Sequence, residues 1–268
     1  MRIAACQMVS KLDPEKNLQD AINLIRSAAQ SGAELVVLPE HFALIPTQEA
    51  DLLKIAEPFG NGPIQNALSE IARTEQIWLC AGSIPLKGDD DEHIIHSSII
   101  YCPDGDVRAR YDKMHLFHFD KDGHHFCESA IAQAGEHPQT TTMACWDGEW
   151  KVGMSICYDL RFPELFRALG GPDIITIPAS FITETGRYHW DPLVRARAIE
   201  NQCYVIAAAQ GGQHENGRET WGHSIVVDPW GQTVAELTQG EGVLLADIRL
   251  ERVKEIREMM PTSKRSAQ

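Results

Sequence analysis

The chain has 268 residues, 43% hydrophobic, 23% charged and 7% aromatic, a globular composition with enough apolar material for a large core, which excludes a disordered chain. Its 38 Asp and Glu outnumber 24 Lys and Arg, a formal charge of −14, so most of the surface repels nucleic acid and anionic membranes. Apolar runs such as residues 174–177 and 205–209 fall far short of the ~18 consecutive residues of a membrane span.

Residues 2–8 read as a strand with no apolar leader and cleavage site ahead of it, which predicts a cytoplasmic protein. Asp13-Pro14 opens a helix in which Leu18, Ala21, Ile22, Ile25 and Ala29 recur at helical spacing until Ser31-Gly32 stops it. Residues 34–38 read as a strand in which Glu34 is followed by an unbroken apolar run, which suits a strand covered on both faces. A helix from about 63 to 73 and strands over 77–84 and 96–102 continue the alternation. Trp146-Asp147-Gly148-Glu149 reads as a hairpin turn, because Asp-Gly readily takes positive φ, and residues 151–156 return as a strand into Cys157. A short helix after Pro163 ends at Gly170-Gly171. Strand 174–178, a helix through Leu193, Ala196, Ala198 and Ile199, and strand 203–209 follow. Three short strands over 224–248 surround the Asp228-Pro229-Trp230-Gly231 turn. A charged helix over 251–259 and a polar tail, 261–268, close the chain. No repeat, linker or break in composition divides it, so it reads as one α/β domain over 1–268 with its core at about 1–250.

The seven cysteines, Cys6, Cys80, Cys102, Cys127, Cys145, Cys157 and Cys203, are odd in number, scattered and never spaced Cys-x-x-Cys. Neither a disulfide framework nor a zinc ribbon fits.

Three segments carry a reactive side chain just beyond an expected strand: Leu38-Pro39-Glu40, Tyr111-Asp112-Lys113-Met114-His115-Leu116-Phe117 and Ser155-Ile156-Cys157-Tyr158-Asp159. Strand ends are where loops converge over a rigid scaffold and bind ligands. Taken singly, each residue also has a plain reading as a solvated acid, a surface lysine or a buried cysteine.

Leu38-Pro39-Glu40, Asp112-Lys113-Met114-His115-Leu116 and Cys157-Tyr158-Asp159-Leu160-Arg161-Phe162-Pro163-Glu164 together resemble the three active-site motifs of the nitrilase, or carbon–nitrogen hydrolase, superfamily, in that family's order and approximate spacing. The likeness runs from Ile3 to about Ile248. It implies a four-layer αββα sandwich and a Glu-Lys-Cys triad that hydrolyses a linear carboxamide through a thioester. Glu40 would be general base to the Cys157 thiol, since the thiolate is the competent nucleophile. Lys113 and the backbone N–H of Tyr158 would stabilise the oxyanion. Glu128 matches the superfamily's second glutamate, which orients lysine and substrate; the alternative is a loop carboxylate without a role.

Within the superfamily the chain resembles the Nit branch, and its deaminated glutathione amidases in particular, through His189-Trp190, the segment 195–205, Gly222-His223-Ser224 and Val227-Asp228-Pro229-Trp230-Gly231. That resemblance implies an amide of a 2-oxo acid as substrate, cleaved to 2-oxoglutarate and Cys-Gly in metabolite repair. An ω-amidase acting on 2-oxoglutaramate or 2-oxosuccinamate, or a general aliphatic amidase, is the alternative; a catalytically silent binding protein is a remoter one. Arg161 is the candidate for the substrate carboxylate, with an ion pair to Glu164 or Asp159 as its alternative. Thr185 and Phe181 complete the expected substrate pocket. The 181–188 loop departs from the relatives at Glu184, Arg187 and Tyr188, which leaves the leaving group open.

The histidine-rich segment 115–125 resembles no zinc-ligand spacing, and no metal is expected. The rival reading is a metal-dependent hydrolase using His115, His118, His124 and His125. With no Gly-rich phosphate loop, no cofactor is called for. The resemblance further implies a homodimer or higher homo-oligomer.

Overall fold

Two sheets lie face to face with helices on their outer sides in the computed structural model, which describes residues 1–121 and 124–262, with the backbone alone at Lys121, His124 and His125. The first half of the chain supplies β1 (Arg2–Gln7), α1 (Pro14–Gln30), β2 (Leu35–Val37), α2 (Pro63–Glu75), β3 (Trp78–Cys80), β4 (Ile84–Lys87), β5 (Ile94–Tyr101) and β6 (Val107–Asp112). A hairpin of β7 (His118–Lys121) and β8 (His124–Cys127) follows. The second half supplies β9 (Thr140–Cys145), β10 (Gly148–Met154), α3 (Pro163–Ala168), β11 (Ile174–Ala179), α4 (Thr183–Asn201), β12 (Tyr204–Ala209), the small hairpin β13 (Gly211–Gln213) and β14 (Glu219–Trp221), β15 (Ser224–Val227) and β16 (Thr233–Leu237). Then β17 (Gly242–Asp247) rejoins the first sheet beside β1, and α5 (Leu250–Met259) follows.

The first sheet has the order β17-β1-β2-β3-β5-β4 with β6 beside β5, and the second the order β16-β15-β12-β11-β10-β9. In each, three strands run parallel: β1, β2 and β3 in one, β10, β11 and β12 in the other. Pleating sorts their side chains. Ile3, Ala5, Leu35 and Val37 face the second sheet, where they meet a core that includes Trp150, Val152 and Ile206. Ala4, Cys6 and Val36 face the other way, onto Ala21, Ile25 and Ala28 of α1 and Leu68 and Ala72 of α2. The doubly covered strand expected at 34–38 is therefore found as β2.

Leu165 and Phe166 of α3 and Val194 and Ala198 of α4 cover the second sheet's outer face, which completes the expected αββα layering. Asp13 caps α1 by accepting from the N–H groups of Glu15 and Lys16, as its place before Pro14 predicts. Among the described residues no helix is long and apolar enough to cross a membrane.

Several elements differ from the sequence reading. The single strand expected over 77–84 is two, β3 and β4, broken at Gly82 with φ +57°. The hairpin expected at 146–149, by contrast, is found, with β9 and β10 pairing antiparallel from Cys145 and Gly148 and positive φ at Gly148. The helix expected around 193–199 already begins at Thr183. Strands β7, β8, β13 and β14 carry too little apolar alternation to be read.

Candidate active site

The parallel strands of both sheets end at one shared edge. Met8, just past β1, bridges Gln210, just past β12, and the Gln210 side chain donates to the Glu40 carbonyl at 3.0 Å. Glu40 itself follows β2 through Leu38 and Pro39. Only glycine fits at 82, because a Cβ there would collide with the Pro39 carbonyl. Lys113 leaves β6 with its backbone held on both sides: its N–H donates to His96 at 2.9 Å and its carbonyl accepts from Gly135 at 2.8 Å. Cys157 leaves β10 in a left-handed conformation, φ +45°, which strains any residue with a Cβ.

Asp159 fixes that turn against the lysine segment. Fully buried, its carboxylate accepts from the Ile156 N–H at 2.8 Å, the Tyr111 hydroxyl at 2.7 Å, the His115 N–H at 3.1 Å and His115 Nδ1 at 2.7 Å. His115 also stacks on Phe162.

Lys113 Nζ lies at the centre of the site, wholly buried, and donates to Glu40 Oε1 at 2.8 Å and to both Glu128 oxygens at 2.8 Å. Glu128 also accepts from the Phe117 N–H at 2.7 Å, so the segment after β6 and the residue after β8 lock together. Glu40 hydrogen-bonds the Cys157 thiol, and the Ser180 N–H approaches Sγ at 3.5 Å.

Charge in this closed space is sorted unevenly. Burial pushes Glu40 above the usual carboxylate range; Lys113 opposes this and the Glu128 charge adds to it. Burial also acts on Glu128, yet the adjacent ammonium holds it below that range. For Lys113 burial alone would favour the neutral amine, but the Glu128 and Glu40 charges keep it well above its ordinary value. Burial and the Glu40 charge raise Cys157 well above an ordinary thiol. The resting arrangement is thus a protonated thiol beside an unusually basic carboxylate and a permanent cation. It can deliver a thiolate on demand and receive a developing oxyanion.

The pocket above the thiol gathers Glu40, Lys113, Glu128 and Cys157, with Tyr158, Arg161, Phe181 and Thr185 also on its wall. Every residue expected at the site therefore lines one pocket. Arg161 contacts His189 Nδ1 at 3.1 Å and packs over the Phe181 and Tyr158 rings. Asp159, considered as its ion-pair partner, is instead committed to Tyr111, His115 and Ile156. Thr185 donates to the Ile182 carbonyl at 3.3 Å.

Sequence reasoning missed His41, Glu49, Phe126, Ser180 and Arg218, all on the same wall. Ser180 follows β11 as Cys157 follows β10, so the strand-end rule applies to it. No sequence signal marks Glu49 or Arg218, which lie far from the motifs.

Of the histidine-rich segment, His115 serves Asp159 and His118 opens β7. Asp122, Gly123 and the side chains of Lys121, His124 and His125 lie outside the described residues, as do residues 263–268 of the polar tail. Glu40, His41 and Glu128 bring potential metal-ligand atoms within 4.8 Å of one another. The Lys113 ammonium already bridges the two carboxylates there.

A thiol, a carboxylate and a buried ammonium on an αββα sandwich define a hydrolase of carbon–nitrogen bonds, and the chain belongs to that family: residues 2–258 match the carbon-nitrogen hydrolase model. It is 40% identical over 268 residues to a deaminated glutathione amidase of Homo sapiens, covering 97% of this chain and 80% of the relative. It superposes on Nit3 of Saccharomyces cerevisiae, a member of branch 10 of the nitrilase superfamily, with TM-score 0.86 and 32% identity over 100% of this chain and 97% of that one. It also superposes on an amidase from Nesterenkonia sp. that carries acrylamide on its active-site cysteine, with TM-score 0.79 and 27% identity over 97% of each chain. The protein is an enzyme that hydrolyses amides.

Proposed function

We propose that the chain is a thiol amidase that hydrolyses deaminated glutathione to 2-oxoglutarate and Cys-Gly, with Cys157 as nucleophile and Glu40 as general base. The observation that carries the mechanism is the buried, hydrogen-bonded set of Glu40, Lys113, Glu128 and Cys157. The substrate is proposed from the relative at 40% identity and from Arg161, a planar cation on the wall of the same pocket.

In this mechanism Glu40 takes the thiol proton as sulfur attacks the carbonyl carbon, and the carbonyl oxygen becomes an oxyanion facing Lys113 and the Tyr158 N–H. The C–N bond breaks as Glu40 returns the proton to nitrogen, which leaves a thioester. Water then enters, Glu40 removes its proton, and the acid departs with the thiol restored. Glu128 keeps Lys113 aimed at the oxyanion. Arg161 holds the 2-oxo-acid carboxylate, with Phe181 and Thr185 shaping the acyl pocket. No metal or cofactor takes part.

We further place the enzyme in the cytoplasm as a homo-oligomer. Seven free cysteines suit a reducing compartment, and Tyr188, Ile199 and Trp230 are large apolar side chains left exposed.

The test is to incubate the purified protein with deaminated glutathione, 2-oxoglutaramate and a simple aliphatic amide, beside Cys157→Ala and a chelator arm. Fastest release of 2-oxoglutarate from deaminated glutathione, insensitive to chelator and lost in the variant, is expected. Preference for 2-oxoglutaramate keeps the mechanism and makes the enzyme an ω-amidase. Undiminished turnover by Cys157→Ala, with loss under chelation, would replace the thiol mechanism by a metal-dependent one.

A further inference from the structure

The nucleophile pocket continues past Ile182 and Phe126 into a second cavity, between the start of α4 and the β13–β14 hairpin, and Arg218 lines both spaces. We propose that this outer cavity is the leaving-group subsite, and that Arg218 binds a carboxylate carried by the departing amine, such as the C-terminus of a short peptide. The proposal rests on the amidase reading above and specifies what that reading leaves open.

Arg218 is positioned but not used up. Its guanidinium packs on the Phe126 ring, 4.8 Å from the centroid, and its side chain is 13% exposed. The carboxylate beside it is Glu49, whose Oε1 stands 3.7 Å from the guanidinium, beyond hydrogen-bond range. The other Glu49 oxygen is buried and has no hydrogen-bond partner among the described residues. This pair therefore leaves the planar donors of Arg218 open to a second carboxylate, in a site sheltered from water where such a contact is strong.

The neighbouring backbone fixes Arg218 relative to the nucleophile. Ile182 bridges Thr220, and the Trp221 N–H donates to the Phe181 carbonyl at 2.8 Å, so the strand that follows Arg218 is clamped to the segment bearing Phe181. Arg161 lines the inner pocket and not the outer one. Arg161 in the inner pocket and Arg218 at its junction with the outer cavity thus match a substrate with a carboxylate at each end. Glu184 and Glu219 also line the outer cavity. They disfavour a leaving group with several negative charges and accommodate one with a single carboxylate.

The test uses the full chain and three substrates with the same 2-oxoglutaryl group: the Cys-Gly amide, its C-terminal carboxamide, and 2-oxoglutaramate. Wild type is expected to favour the free carboxylate over the carboxamide by about 10- to 100-fold in kcat/KM, the size of a sheltered charge-assisted pair. Arg218→Gln should erase that preference, and Arg218→Lys should keep part of it. Equal rates on the two peptides in wild type, or a preference unchanged in Arg218→Gln, overturn the subsite while leaving the amidase reading intact. If Arg218→Gln does not fold, the wild-type comparison decides alone. Hydrolysis of 2-oxoglutaramate with neither peptide cleaved overturns the subsite and the deaminated glutathione reading together.

Discussion

Glu40 and Glu128 share one ammonium, yet their surroundings push the two carboxyls in opposite directions. On the proposed mechanism Glu40 is the general base and must be ionised to act, so the acid limb of kcat/KM should lie above the usual carboxylate range. The Glu128 charge helps to raise Glu40. Replacing it by Glu128→Gln should therefore lower the Glu40 pKa and move that limb to lower pH. The same change weakens the hold on Lys113, and a misaimed oxyanion donor costs about 100-fold in kcat. A pH–rate profile from pH 4 to 9 checks both; a limb that stays put or moves upward contradicts this account. Glu40, Lys113 and Cys157 drew notice because each stands in a short motif just past an expected strand, whereas Glu128 was marked only by its resemblance to the superfamily's second glutamate. Glu49 and Arg218 were not, since a contact between residues 169 positions apart leaves no local pattern.

At the scale of elements, Asp159 joins the end of β6, the segment after it and the turn past β10. Asp159→Ala would strand four buried or half-buried donors, on three residues, at once. Each unsatisfied group costs about 1–3 kcal/mol, so a loss of about 3 kcal/mol or more is expected in urea unfolding. Asp159→Asn, which keeps the shape and part of the acceptor capacity, should lose less stability but still misplace Cys157 and slow turnover. Equal stability of Asp159→Ala and wild type would show that these bonds contribute nothing net. Asp159 was visible inside a motif, but its partners were not, because Tyr111 and His115 reach it only after two sheets have been packed. The early start of α4 was hidden for a related reason: Thr183, Glu184 and Arg187 show no apolar period, and what holds that turn in place is its contact with β14.

For the whole molecule, the alternation of strands and helices disclosed an α/β chain, and the doubly apolar β2 disclosed a sheet covered on both sides. The strand order was not legible. That β17 closes against β1, 240 residues earlier, follows from which edges remain unpaired once the layers form. The surface retains a further request for company. Ile199 on the outside of α4 and Trp230 beside it are each 45% exposed. Sedimentation of the purified protein should give at least twice the 29.9 kDa of one chain, and Ile199→Glu should shift the mass towards the single chain. A monomer at micromolar concentration in wild type would remove the oligomer from the proposal.

The left-handed turn at Cys157 sets the site at odds with the chain's own durability. A residue with a Cβ in that conformation costs about 1–2 kcal/mol that glycine would not. On the proposed thiol mechanism that strain is carried by the nucleophile itself, so one residue must satisfy both the backbone of the turn and the chemistry of the site.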